Sequence, residues 1–328
     1  MNSLPCGMFM SVWTKSNEII YRCPECGHKL LSLHSGSGQC EDCGLKCEVA
    51  GNIISFERTG SHRRPLMTKS KLSLNVLGRA ARYYFDPLAS PWSPVTWITR
   101  RRLDAYYIRC LSDRALAESF AGHYLKNCKL PKRARVLDHG CGQGRVVAML
   151  SQLGYVVVGQ EVTKHSWWQN LPHSRFVVCP NDSNNFPYAE EMFHLTIDFE
   201  VIGHIEVHSL PDLIGEVHRV LIPDGYWVLL EANSKGWAAH LPRKHYGRLH
   251  DLEFVVSLAE QQGFECVTMD YEGFYSPLFP RLINVFRKNL NPFSPLVIED
   301  YDSAIAKLIQ PEKRGLWHLV LKKPGQSV

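Results

Sequence analysis

The stretch VLDHGCGQGRVVAML, Val136 to Leu150, constrains the fold more than any other part of the chain. An apolar run of strand type leads into Gly140, Gly142 and Gly144, and then into apolar residues at helical spacing. A strand, a tight glycine turn and a helix N-terminus bring bare backbone N–H groups and the positive end of a helix to one spot, which makes a ligand cradle. Glycine spacing narrows the ligand. A dinucleotide fingerprint, G-x-G-x-x-G, needs glycine at 145, where Arg145 stands, and no Gly-Lys-Ser/Thr of a phosphate loop is present. Both facts argue against a diphosphate in the cradle.

The chain around this loop alternates strand and helix. Strand patterns cover 134–137, 155–159, 175–179, 194–199 and 225–231, with further candidates at 264–270 and 315–322. Helical patterns cover 145–152, 210–220 and 251–262. Repeated strand-helix-strand units predict an α/β fold, a parallel sheet with helices on both faces. Glu161 closes the strand after the glycine loop, 21 residues beyond Gly140, where a carboxylate can take both hydroxyls of a ribose. The next strand ends in CPNDSNNFPY, which places Asp182 within reach of an adenine amino group.

The N-terminal part is of another kind. CPECG and CEDCG give two C-x2-C pairs separated by 13 residues, Cys23, Cys26, Cys40 and Cys43. The glycine after each pair permits a knuckle that turns both sulfurs toward one ion, and four thiolates make a closed, structural zinc site. The competing reading is a free-thiol or redox cluster, for which two matched knuckles serve no evident purpose. Cys47, His28 and His34 are read as bystanders. These features divide the chain into a zinc ribbon at 20–56, a basic and aromatic helical linker or lid at 57–130, and the α/β domain at 131–328. The linker holds 14 Lys or Arg against 5 Asp or Glu, a balance of +9 that leaves the remainder at −4. Such a segment suits an anionic partner, nucleic acid or lipid surface, or is a set of solvated helices. No apolar run approaches the roughly 18 residues of a membrane span, and the N-terminus has no signal-peptide pattern. The expected compartment is the cytoplasm, with peripheral membrane contact open.

Taken together, these residues resemble class I S-adenosylmethionine (SAM)-dependent methyltransferases of the type 11 kind. Val136 to Gly144 match the family's VLDxGCGxG. NDSNNFPYAEEMFHLTIDFEVIGHI, VHRVLIPDGYWVLLEAN and LAEQQGFECV are similar to its later motifs, so the resemblance covers about 131–323. The cysteine module, running on into CEVAGNIISF, is similar to the N-terminal zinc module of some members, ribosomal-RNA guanine methyltransferases among them. The resemblance implies a Rossmann-like sheet of seven strands with the last antiparallel, and the ribbon and linker are expected to form a lid or substrate platform over the carboxyl ends of the strands.

It also implies a cofactor, SAM, and a ligand set. Asp138 reaches the methionine amino group. Gly140, Cys141, Gly142 and Gly144 form the loop, Glu161 holds the ribose, Val162 packs on adenine, and Asp182 takes its amine. Phe199 and Glu200 line the pocket beside the sulfonium. His204 is the candidate catalytic base, against a plain packing role. His240, His245, Tyr246 and Arg248 are candidate acceptor contacts, and the tryptophans of HSWWQN, Trp167 and Trp168, are read as packing. His194, Gly203 and Asp224 depart from the family's usual Asp, Glu and Gly. For the acceptor, a small or lipid-like molecule suits the aromatic-basic segments. RNA held by the ribbon and linker is the alternative, and a non-catalytic SAM-binding adaptor the third.

Overall fold

The computed structural model describes residues 19–27, 36–56, 110–171, 174–179, 185–236, 249–273 and 306–325. Most of the basic linker, Asp182, and the acceptor-contact candidates between 240 and 248 lie outside them. Elements in chain order are strands β1 (Gly36–Gln39), β2 (Lys46–Ala50) and β3 (Ile53–Phe56), helix α1 (Arg114–Tyr124), β4 (Arg135–His139), α2 (Arg145–Gln152) and β5 (Val156–Glu161). A short 3-10 turn (Ser166–Asn170) precedes β6 (Arg175–Val178) and β7 (Phe193–Phe199). After a 3-10 turn at Ile202–His204 come α3 (Leu210–Val220), β8 (Leu221–Ala232), α4 (Leu252–Gln261), β9 (Glu265–Glu272) and β10 (Leu316–Lys322).

The ten strands among the described residues share one sheet, ordered β1-β2-β3-β6-β5-β4-β7-β8-β10-β9. From β3 to β8 neighbouring strands are parallel, whereas β10 runs antiparallel to both β8 and β9. The seven strands expected are those from β6 to β9 in this order, and the last of them along the chain is the antiparallel one. The sheet is larger than expected because the ribbon adds its strands to the edge. β3 pairs in parallel with β6 through Ile53–Phe176, Ile54–Val177 and Ser55–Val178. The ribbon is therefore not a lid over the strand ends: its short apolar run Ile53–Phe56 is a sheet edge that needs a partner.

Burial on both faces explains the strand sequences. Val157, Val158, Leu195, Ile197, Val228 and Leu229 are buried, as parallel strands covered by helices require. α3 supplies one cover with Leu210, Leu213, Ile214, Val217 and Val220, an apolar stripe at helical spacing that begins with Pro211 in its first turn. α1 and α4 start at aspartate caps: Asp113 accepts from Leu116 N–H at 3.1 Å and Asp251 from Glu253 N–H at 3.1 Å. Among the described residues no helix is long and apolar enough to cross a membrane.

Two of the departures from the family pattern fit this frame. Asp224 occupies a left-handed conformation (φ 62°), which aspartate tolerates better than most residues, and its N–H donates to Lys323 O. His194 uses Nδ1 to accept the Arg135 N–H at 3.1 Å, and burial followed by the Arg135 charge lowers its pKa.

Candidate functional site

The strand order reverses between β4 and β7, and ligands in open α/β sheets bind outside the carboxyl ends at such a point. Here β4 ends in Asp138 and His139, and the chain turns through Gly140 and Gly142, both left-handed (φ 66° and 51°), into α2. Gly140 is obligatory in two ways: a Cβ there would lie 2.4 Å from Val201 Cγ2. A Cβ at Gly142, by contrast, would meet nothing within 4 Å. Cys141 N–H donates to Gln160 O, and Gly144 N–H closes the turn on Cys141 O.

A cavity of about 350 Å³ opens beside this loop, within the range of small-molecule sites. Its walls are the carboxyl ends of β4 (His139, Gly140), β5 (Gln160, Glu161, Val162) and β6 (Cys179), and the segment after β7 (Glu200, Val201, His204, Ile205). Five residues singled out from the sequence thus meet here: Gly140, Glu161, Val162, Glu200 and His204. Asp138, Cys141, Gly142 and Gly144 stand in the adjoining strand and loop. Phe199 does not join them. Its ring packs on Phe120 (5.7 Å) and Tyr124 (4.9 Å) of α1 and does not line the cavity.

Polar groups around the loop are arranged for a ligand with donors. Asp138 is 3% exposed, and its Oδ2 has no hydrogen-bond partner. Gln160 Oε1 and Gln143 Oε1 are likewise buried and unpartnered. Buried acceptors are nearly always satisfied, so three orphans around one loop mark where donors are to come from. SAM fits that demand with its ammonium, ribose hydroxyls and adenine amine. Burial, then the Asp198 and Glu161 carboxylates, push Asp138 well above the usual carboxylate range, and the Arg145 charge only partly offsets them. Glu161 receives the loop directly: Gly142 N–H donates to Oε2 at 3.0 Å and Val162 N–H to Oε1 at 2.8 Å. Val162 is 38% exposed, an uncovered apolar surface at the cavity edge.

Sequence reasoning missed the groups that hold the cavity's far wall. His139 and Asp198 are register partners on β4 and β7, and His139 Nδ1–H donates to Asp198 Oδ1 at 2.7 Å in a buried setting. Trp227 Nε1–H fills the other oxygen at 2.6 Å, so Asp198 is fixed on both sides. Glu231, at the end of β8, accepts from Val201 N–H at 2.6 Å and Ile202 N–H at 2.7 Å. Burial and then the Glu200 charge push Glu231 well above the usual range. Glu200 itself is left-handed (φ 59°), a strained state for this residue at the cavity wall. His139 stands at the variable position of the first motif and Asp198 one residue before Phe199. The strand-order reversal was the signal that would have singled both out.

The four ribbon cysteines converge as their spacing predicted. Their sulfurs all lie within 4.8 Å of one another, with Cys23–Cys43 at 3.5 Å and Cys26–Cys40 at 3.4 Å. A tetrahedral ion with bonds of about 2.3 Å places sulfurs about 3.8 Å apart, so the donor set fits zinc. Burial pushes the Cys23 thiol up to about 12. Burial also raises Cys40, but the N–H groups of Cys43 and Asp42 and the neighbouring thiols outweigh it and bring Cys40 down to about 7. Cys47 is buried in the core with Cys23 and Cys40, outside the tetrad. Trp168, read as packing, is buried and stacks on Phe176 at 4.4 Å.

Residues 137–229 match the family described as a methyltransferase domain. A relative from Synechocystis sp., an uncharacterized methyltransferase, is 26% identical over 155 residues, covering 44% of this chain and 72% of its own. Among solved structures, the cyclase SpnF is 20% identical, covering 65% of this chain and 81% of that one, with a TM-score of 0.46. Phosphoethanolamine N-methyltransferase 2 of Haemonchus contortus, in complex with S-adenosyl-L-methionine, is 17% identical over 63% of this chain and 52% of that one, with a TM-score of 0.44.

Proposed function

We propose that this chain, a class I SAM-dependent methyltransferase with its methyltransferase domain at 137–229, passes the methyl group to a small-molecule acceptor held in the cavity between β4 and β7. The observation that carries the reading is the orphaned acceptor set of Asp138, Gln143 and Gln160 around the glycine loop. When bound, SAM supplies an activated methyl group and its own leaving group. The residues of this chain bind, orient and exclude water, which supplies most of the acceleration in such a displacement. Asp138 takes the ammonium, Glu161 the ribose, Val162 the adenine face, and the loop approaches by its bare backbone at Gly142.

The cavity wall supports a small neutral or cationic acceptor over RNA. Glu161 and Glu200 line it, and among the described residues no Lys or Arg does. A phosphate backbone entering there meets like charge. A proton leaves the acceptor when a hydroxyl or protonated amine is methylated, and two cavity histidines can receive it. His139 is the better placed, because Asp198 fixes its ring through Nδ1 and makes Nε2 the nitrogen that takes the proton, the arrangement used by His–Asp pairs elsewhere. His204, the exposed residue of an otherwise buried 3-10 turn, lines the cavity and is assigned to acceptor contact. The ribbon cysteines hold zinc as a structural ion.

Methyl-labelled SAM, purified protein and a cell extract, partitioned after reaction, test the acceptor. Label in low-molecular-weight or organic-soluble material is expected, and label in nuclease-sensitive material refutes a small-molecule acceptor. With the labelled acceptor in hand, His139→Gln should lower turnover about a hundredfold and His204→Asn should mainly raise KM. The reverse pattern returns the base role to His204.

A further inference from the structure

We propose that the cysteine ribbon, through Asn52 and strand β3, positions the glycine loop, so that metal loading of the ribbon sets the affinity of the cofactor cradle. The inference rests on the reading of that loop as the SAM site. Its starting point is the unexpected place of the ribbon as part of the sheet.

Asn52 sits in the turn between β2 and β3, and its side-chain amide donates twice, to Leu171 O at 2.9 Å and to Ser174 O at 2.8 Å. Those two carbonyls flank the short connection from the Ser166–Asn170 turn to β6. Asn52 O also accepts the Phe176 N–H at 3.0 Å. One ribbon residue thus fixes both the end of the turn and the start of the strand behind the loop.

From there the contacts run straight to the cradle. Phe176, paired with Ile53 of β3, lies flat on Trp168 with an interplanar angle of 8°. Trp168 Nε1–H donates to Gly142 O at 2.9 Å. A Cβ at Gly144 would lie 3.1 Å from both Leu171 and Phe176, and one at Gly159 would lie 2.8 Å from Phe176. The Phe176 ring is wedged under the loop with no slack, and close-packed contacts of this sort transmit displacement. Gly142 is also the residue whose N–H reaches Glu161. A shift of β3 is therefore felt at Gly142, whose carbonyl Trp168 holds and whose N–H reaches Glu161.

The ion is what makes the ribbon a firm support. The knuckle of Cys40 and Cys43 joins β1 to β2, and Cys40 N–H closes it on Leu45 O. The knuckle of Cys23 and Cys26 follows a segment tied to the core by Arg22 N–H to Pro187 O, Ala189 N–H to Ile20 O, and the packed rings of Tyr21 and Tyr188. The cysteine tetrad is where the two knuckles meet, and small metal domains generally fold with their ion rather than before it. Without the ion the four thiols no longer hold the knuckles together, and the β2–β3 hairpin leans on its edge pairing to β6.

The test uses the full chain in four forms: zinc-loaded, chelator-stripped, Asn52→Asp, and Leu213→Ala as a control in α3, remote from the loop. Asn52→Asp keeps the size and removes both N–H donors. SAM binding is titrated by calorimetry well below the melting temperature, and hydrogen exchange is followed at amides 140–144. Stripping and Asn52→Asp should each raise the SAM Kd about tenfold and speed exchange in the loop while leaving α3 protected. Leu213→Ala should lower the melting temperature and leave Kd unchanged. Wild-type Kd and wild-type loop protection in both the stripped and the Asn52→Asp protein overturn the proposal. Should the zinc-loaded wild type fail to bind SAM, the cofactor reading falls, and loop exchange still decides whether the ribbon positions the loop.

Discussion

Replacing Gly140 and Gly142 by alanine, one at a time, separates what the glycine loop needs for folding from what it needs for its ligand. Both residues are left-handed, at φ 66° and 51°. Alanine in that region costs about 1–2 kcal/mol at either position. The surroundings then differ. At position 140 the new Cβ falls 2.4 Å from Val201 Cγ2, and Val201 cannot simply retreat because its N–H is tied to Glu231. Overpacking of this kind adds about 1–3 kcal/mol, for a total of about 2–5 kcal/mol. At position 142 the new Cβ meets nothing within 4 Å, so the stability cost stays at about 1–2 kcal/mol. On the proposed reading, that open space is where the ligand approaches the backbone. Gly142→Ala should therefore weaken SAM about tenfold or more, the equivalent of about 1.4 kcal/mol or above. Urea unfolding and SAM calorimetry on the two variants and the wild type give the four differences needed. A Gly142→Ala protein that binds SAM as tightly as wild type removes the ligand from this face of the loop. Equal stability losses in the two variants refute the clash with Val201.

Affinity for SAM should depend on pH through Asp138. Burial and the Asp198 charge raise its pKa in the free protein, and an ammonium partner lowers it again, so binding expels a proton. SAM Kd should be lowest above the raised pKa and climb as pH falls through it, while Asp138→Asn should flatten that profile and weaken binding by about 1.5–3 kcal/mol. Glu231→Ala leaves the buried N–H groups of Val201 and Ile202 without an acceptor, at about 1–3 kcal/mol each, whereas Glu231→Gln keeps the acceptor oxygen; urea unfolding should place the Gln variant near wild type. Trp168→Phe retains the stack on Phe176 but loses the bond to Gly142 O, and should raise the SAM Kd severalfold with little change in melting temperature.

Elements whose cause is local were legible in the sequence. Helices α2 and α3 begin and end at the residues their apolar spacing marked, Arg145–Gln152 and Leu210–Val220, and Asp251 and Gln262 turned out to be the caps of α4 rather than its ends. The cysteine tetrad was readable because its spacing is its geometry. What could not be read is pairing across distance. Nothing in IISF says that it lies beside RFVV, 123 positions away at Ile53–Phe176, and a short apolar run of four residues carries no register of its own. The same holds for His139 and Asp198, each ordinary within its own strand and informative only once β4 and β7 are neighbours. Trp168 was given a packing role, and it packs, but its indole N–H also holds the loop.

The charges gathered at the cavity bear on how the reaction ends. Asp138, Glu161, Asp198, Glu200 and Glu231 crowd the carboxyl ends of β4, β5, β7 and β8, and three of them raise the pKa of another of the five. Arg145 is the cation that opposes them at Asp138. A site of this sign favours a cationic ligand through its whole field, not through one contact. Methyl transfer removes the sulfonium charge from the cofactor, so the same field that draws the substrate in holds the product less tightly. On the proposed reading, the excess of carboxylates serves turnover as well as binding, which accounts for retaining buried acids whose isolated cost to folding is high.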